Sequence, residues 1–237
     1  LGGADGQNRQ FHTLFLFQLM GLNIAFLTGD LFNLFVAFEV LLIASYGLLL
    51  HGGGTVRTVP GLHYVVLNLV GSSIFLISVG MIYSVTGTLN MADLAVKIPQ
   101  VSAEQLPLVK AGGMMLLVVF GLKAAILPLY FWLPKAYAAA TAPVAALFAV
   151  MTKVGIYAIL RVYTLVFGDN AGELANLGMD WLFPLALITL AMGVIGAIGA
   201  ANLRTLIAWQ VIISVGTLLA AISLGTEAGI SAALFYL

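Results

Sequence analysis

Seven apolar stretches, each long enough to cross a bilayer, follow one another with little polar sequence between them. They run at about 11–28, 30–50, 62–86, 107–140, 142–167, 180–200 and 205–225, and an eighth begins near 229. About 20 residues of helix span the hydrocarbon core, and helices satisfy their own backbone hydrogen bonds there. The chain is expected to be an all-α polytopic membrane protein, a single transmembrane domain over 1–237. Its composition, 62% hydrophobic and 8% charged, lies far from the about 25% charged residues of soluble domains. The stretch over 229–237 is too short to span, and the start, Leu1-Gly2-Gly3-Ala4-Asp5, carries no basic signal-peptide region. An internal piece of a longer chain is expected.

Against this apolar background three ionisable side chains stand out. Glu39, Lys123 and Lys153 each lie deep inside an apolar stretch. A charge at bilayer depth costs about 2.5–3.5 kcal/mol or more and usually faces a polar interior on an ion or proton path. Glu39 and Lys153 fall near the middle of their stretches, too deep for easy snorkelling to an interface. A carboxylate beside a buried ammonium favours the protonated lysine, and separating the two favours release of its proton. Lys153 is a natural acceptor for that proton. The competing reading is a buried ion pair that only fixes helix packing. Such pairs are weak evidence for stability, because desolvation offsets the attraction.

The stretch over 107–140 is too long for one straight helix. Its 34 residues would measure about 51 Å, against a core about 30 Å thick. Pro128 and Pro134 lie inside it. Pro128 cannot bond the carbonyl of Ala124 and clashes with it. A helix broken around 126–132 is expected, and irregular backbone at that depth is tolerated only inside protein or beside a water-filled cavity. Broken helices of this kind mark the ion sites of many transporters.

The loops suggest an orientation. With residues 1–10 on side X, that side receives Arg9, Arg57 and Arg204 against Asp5. Side Y receives Asp30, Asp93, Glu104, Asp169, Glu173, Asp180 and Glu227, with Lys97 and Lys110; Arg161 near side Y runs against the trend. Basic loops favour the cytoplasm, so side X is expected to be cytoplasmic. The connection over 88–105 reads as a short helix lying along the membrane surface.

Weaker signals have ordinary alternatives. His63, with Asn68, Ser72 and Ser73 below it, reads as a relay or entrance group, or as an interfacial histidine. Asp30 lies at an ion entrance or caps the helix it opens. Lys135 joins the relay or snorkels to side X. The three histidines lack metal-ligand spacing, so no metal site or cofactor is expected. His51-Gly52-Gly53-Gly54-Thr55 lacks the lysine of a phosphate loop. Gly193, Gly196 and Gly199 form a small-residue face suited to close helix packing. Zero net charge gives no case for nucleic acid.

The charged residues sit in strings that resemble a known family. Gly29-Asp30-Leu31-Phe32-Asn33-Leu34-Phe35-Val36-Ala37-Phe38-Glu39 resembles the glutamate-bearing fifth helix of antiporter-like subunits. Lys123-Ala124-Ala125-Ile126-Leu127-Pro128-Leu129-Tyr130-Phe131-Trp132-Leu133-Pro134 is similar to their broken seventh helix, and Met151-Thr152-Lys153-Val154-Gly155 to the eighth. The family includes the proton-pumping membrane subunits of respiratory complex I and the large subunits of Mrp-type sodium/proton antiporters. Glu39 to Tyr46, Thr86 to Ala95, and Lys135-Ala136-Tyr137 after the Trp-Leu-Pro string resemble the D-type subunit of the Mrp antiporter most closely.

The resemblance implies an antiporter-like bundle holding the first inverted five-helix repeat and the opening of the second. It implies Glu39 and Lys123 as a coupled pair and Lys153 as a proton carrier. The expected function is proton translocation in a multisubunit sodium (or other monovalent cation)/proton antiporter, not an enzyme, in the cell (inner) membrane. Its expected partners are other membrane subunits, the lipid bilayer, H+ and Na+. The alternatives are a component of a redox-driven complex I-like pump or membrane hydrogenase, and a structural subunit that transports nothing.

Overall fold

The computed structural model describes residues 10–51 and 53–237. The described residues form ten α-helices and no strand. Helix α1 spans Phe11–Leu27, α2 Leu31–Leu50, α3 Thr55–Thr86, α4 Met91–Lys97 and α5 Leu106–Ala124. Then follow α6 (Leu133–Ala139), α7 (Ala142–Leu165), α8 (Met179–Ile198), α9 (Leu203–Ser223) and α10 (Glu227–Tyr236). Six of these, α2, α3, α5, α7, α8 and α9, are long and apolar enough to cross a membrane, and α1 is a shorter apolar helix.

Helix α3 starts at Thr55, seven residues before the apolar stretch at 62–86. Its first turns carry Thr55, Arg57 and Thr58, polar residues that hydropathy reads as loop. Arg57 donates from its guanidinium to the carbonyl of His51, closing the turn from α2.

Two similar caps organise side Y. The Asp30 carboxylate accepts from the backbone of Phe32 at 2.8 Å and Asn33 at 2.9 Å. The Asn90 amide oxygen accepts from Ala92 at 3.0 Å and Asp93 at 3.2 Å. Each satisfies donors that a helix start leaves free. The two caps are tied together, Leu31 N–H to Leu89 at 2.9 Å and Met91 N–H to Gly29 at 2.8 Å. Helix α4 is thereby fixed beneath the start of α2, with an exposed Lys97–Asp93 pair at 3.1 Å.

The chain between α5 and α6 is the break. Helix α5 ends at Ala124, and Ala125 takes a left-handed conformation (φ 59). The carbonyls freed there find new donors. Gly121 accepts from Ile126 at 2.9 Å. Leu122 accepts from Ala125 at 3.2 Å and from the Trp132 indole at 3.3 Å. On α8, Thr189 accepts from the Leu127 N–H at 3.0 Å. The non-helical segment is thus held by hydrogen bonds to both its neighbours, as a low-dielectric setting requires.

Close packing at small residues sets the distances between helices. A Cβ built on Gly155 of α7 would lie 2.6 Å from the Ala124 nitrogen of α5. One on Gly216 of α9 would lie 2.7 Å from the Leu190 nitrogen of α8. Gly193 approaches Ile213 in the same α8–α9 hairpin, and Gly196 meets the Trp209 ring. Without a strong hydrophobic force between helices in lipid, such contacts supply van der Waals attraction.

Gly155→Val is therefore expected to push α7 from α5 and destabilise the fold by roughly 1–3 kcal/mol. The measurement is thermal unfolding of the detergent-solubilised full-length protein. Gly80→Ala, where an added Cβ meets nothing within 4 Å, serves as the control and should not lower the melting temperature.

Candidate functional site: a buried ammonium at the helix break

Lys123 occupies the last turn of α5, where the chain leaves helical geometry. It is 5% exposed. Its ammonium donates to the Asn68 side-chain oxygen at 3.2 Å and to the Asn68 backbone carbonyl at 3.4 Å, both on α3. It also lies 5.8 Å from the centre of the Phe38 ring, within reach of a cation–π attraction.

Glu39 is half-buried on α2. Its carboxylate accepts a short hydrogen bond from Ser72 of α3. Asn68 and Ser72 are four residues apart, so they stack on one face of α3. That face holds the ammonium and the carboxylate one turn apart. The two charges make no ion pair within 4.0 Å: among the described residues the one such pair is Lys97–Asp93. The arrangement is a separated pair with a polar helix face between its members.

The same stripe of α3 continues to Tyr64, whose carbonyl accepts from the Asn68 side chain at 2.8 Å. The Tyr64 hydroxyl lies 2.7 Å from the Ser45 hydroxyl and 3.8 Å from the Met151 sulfur. His63, one residue away, is turned about 100° around the helix. It is exposed, with ring Nδ1 3.1 Å from the Val59 carbonyl. The polar stripe is 64, 68 and 72, a spacing of four that the sequence displays once α3 is known to be continuous.

Aromatic side chains enclose this polar layer. Toward side Y, Phe38 stacks on Phe120 with centroids 6.4 Å apart, and Phe75 meets Phe120 edge-on at 5.4 Å. Toward side X, Tyr64 packs on Trp132 at 5.2 Å and on Phe148 at 6.1 Å.

Lys153 lies on α7, half-buried, with no hydrogen bond or ion pair among the described residues. Gly155, two residues on, touches Ala124 beside Lys123. Two residues on a helix are about 200° apart, so Lys153 stands on the opposite side of α7 from α5. Lys135 is exposed on α6 and lines a cavity of about 780 Å³ with Arg204, Asn202 and Trp209. Asp30 is engaged as the cap of α2. Pro128 is exposed in the break, and Pro134 is buried in the first turn of α6.

A sequence profile of the family described as NADH:quinone oxidoreductase/Mrp antiporter, TM, matches residues 28–237. The D subunit of a probable K+/H+ antiporter of Rhizobium meliloti is 53% identical over 96% of this chain and 42% of its own length. The D subunit of a Na+/H+ antiporter of Bacillus subtilis is 47% identical over 93% of this chain and 44% of its own. The chain therefore spans less than half the length of these relatives. In the solved Mrp complex from Dietzia, a chain 35% identical superposes with a TM-score of 0.83, covering 94% of this chain and 41% of that one. A chain of the archaeal membrane-bound sulfane sulfur reductase is 32% identical, with a TM-score of 0.86 over 94% of this chain and 45% of that one.

The Asn68–Lys123 bond has an energetic signature. Asn68→Leu takes the side-chain acceptor from the buried ammonium and leaves it the backbone carbonyl alone, at a cost of about 1–3 kcal/mol. Replacing both partners is far less costly, so Asn68→Leu with Lys123→Leu should recover most of the loss. A double-mutant cycle on melting temperature in detergent checks this; additive losses would show that the two side chains do not interact.

Proposed function

Because the chain belongs to the NADH:quinone oxidoreductase/Mrp antiporter family of membrane subunits, we propose that its parent carries protons in a multisubunit monovalent cation/proton antiporter. Lys123 is the proton-holding group, Glu39 tunes it, and Lys153 receives the proton. The observation that carries this reading is the Lys123 ammonium, buried at a helix break and bonded through Asn68 to the helix face that holds Glu39.

Two neutral oxygens of Asn68 solvate the ammonium, and the nearby carboxylate favours its charged form. Protonating Glu39, or moving it away, removes that field. Desolvation then favours neutral Lys123, and its proton leaves. At an effective dielectric of about 20, an opposite charge about 4 Å away is worth about 4 kcal/mol, and the attraction falls as the distance grows. Small displacements of α2 against α3 are enough to switch the site.

The names of relatives divide over the cation, K+/H+ in one and Na+/H+ in another. Both ions are therefore candidates, and nothing in the polar layer selects between them. A second reading is supported by the likeness to a chain of an archaeal respiratory membrane complex: the same relay driven by a redox partner.

The test uses the full-length parent in its complete assembly, in everted vesicles with a pH-sensitive dye. Adding Na+ or K+ should move protons in the wild type, and Glu39→Gln or Lys123→Ala should abolish the signal while assembly persists. Wild-type exchange in both variants would sink the proposal. Proton movement on adding an electron donor, but not a cation, would favour the redox-driven pump.

A further inference from the structure

The relay leaves a geometric problem. Lys123 and Lys153 lie at similar depth, because Ala124 and Gly155 touch. Yet Lys153 is on the far side of α7, and the helix itself stands between the two ammonium groups. Any transfer must pass around α7 through another polar group.

Gln18 on α1 is such a group. It is completely buried, and neither its amide oxygen nor its amide nitrogen has a hydrogen-bond partner. An unpaired buried amide is strongly disfavoured, and buried polar groups in native proteins are nearly always bonded to protein or to ordered water.

Its position follows from helical register. Gly21 of α1 touches Leu41 of α2, and Gly47 of α2 touches Leu14. The antiparallel pairing therefore sets Gln18 level with Ala44, next to Ser45 of the Ser45–Tyr64 hydroxyl pair. On its other flank, Phe26 packs on Tyr157 of α7 at 5.1 Å, and the Tyr157 hydroxyl donates to the Phe26 carbonyl at 2.8 Å. Helices α1 and α7 run in the same direction, so Leu22 is level with Lys153 and Gln18 with Ala149. At about 100° per residue, Gln18 lies between the face toward α2 (Leu14, Gly21) and the face toward α7 (Phe26). It points into the seam where α1, α2 and α7 meet. Lys153, one turn toward side Y, leans back toward its helix N-terminus as helical side chains do, which carries it to the level of Gln18.

We infer that Gln18 is a positioning residue whose amide binds internal water in the α1/α2/α7 seam, and that this water hydrogen-bonds the Lys153 ammonium and links it toward the Ser45–Tyr64 hydroxyls. The inference rests on the relay proposed above. It assigns the last part of the route, from the Tyr64–Ser45 hydroxyls past Gln18 to Lys153; the Asn68 amide meets Tyr64 at its backbone carbonyl, so the step from Lys123 to those hydroxyls is carried by water as well. The Gln18 amide neither gains nor loses a proton overall; it orders the water. An amide suits this task because it offers donor and acceptor together and stays neutral at any working pH.

The test compares wild type, Gln18→Leu, Gln18→Asn and Lys153→Ala in the complete assembly. Gln18→Leu keeps the volume and removes both polar atoms. Cation-driven proton movement should fall at least about tenfold with a displaced pH profile, because Lys153 loses its solvating water. Gln18→Asn, one methylene shorter, should give a smaller loss and an intermediate profile, and it stands in if Gln18→Leu fails to assemble. A structure of the assembly at a resolution that shows water should place one within hydrogen-bond distance of both Gln18 and Lys153. A dry seam overturns the proposal, as does an unchanged rate and pH profile in Gln18→Leu, or in Gln18→Asn where that variant replaces it. Wild-type exchange by Lys153→Ala removes Lys153 from the relay, and the water between Gln18 and Lys153 is then decided by the structure alone.

Discussion

One buried ammonium governs the architecture. A lysine this deep in a bilayer protein needs acceptors and a reduced dielectric penalty. Lys123 obtains its acceptors from a single residue, Asn68, through both side chain and backbone. The backbone contribution depends on where Asn68 lies: its carbonyl is part of a long helix and is bent to double use. That requires α3 and α5 to approach closely. It also requires α5 to end where it does, so that Lys123 points into the bundle from a terminus. The partial negative charge of a helix C-terminus favours a cation there.

The break itself is inexpensive because its loose ends are tied. A proline-interrupted helix in lipid normally leaves backbone groups without partners. Here an indole, two backbone N–H groups and a threonine hydroxyl on α8 supply them. Trp132 has a double role, bonding the end of α5 and forming part of the aromatic wall toward side X. The Trp-Leu-Pro string is thus as much a structural clasp as a motif.

Much of this was legible in the sequence. Long apolar stretches with Glu39, Lys123 and Lys153 inside them announce a helical membrane bundle with a charged interior, and Pro128 within 34 apolar residues announces a break. The partnering of the charges was not legible. Nothing in spacing reveals that Ser72 and Asn68 stand between Glu39 and Lys123, because that depends on the rotation of α3 against two neighbours. The rotation also separates His63, which faces outward, from Tyr64, which is fully buried. An error of one residue on a helix is an error of about 100°. Gln18 looks unremarkable in sequence, one polar residue in an apolar helix; its meaning appears only when both flanking helices are in place.

The aromatic wall toward side Y has an electrical consequence. Phe38, Phe75 and Phe120 form a buried apolar layer next to a polar one. Where a membrane protein is dry, the transmembrane voltage falls steeply; where it is polar or wet, the voltage barely changes. Each elementary charge moved through the full potential exchanges about 2.3 kcal/mol per 100 mV, and most of that energy is concentrated where the insulation is thinnest. The three phenylalanines therefore act as the dielectric of a small capacitor, with the Lys123 layer as one of its plates. On the relay proposed above, the step from Lys123 to Lys153 keeps to one depth on the side X face of that layer and costs little electrical work; the membrane potential bears on any charge that crosses the phenylalanines.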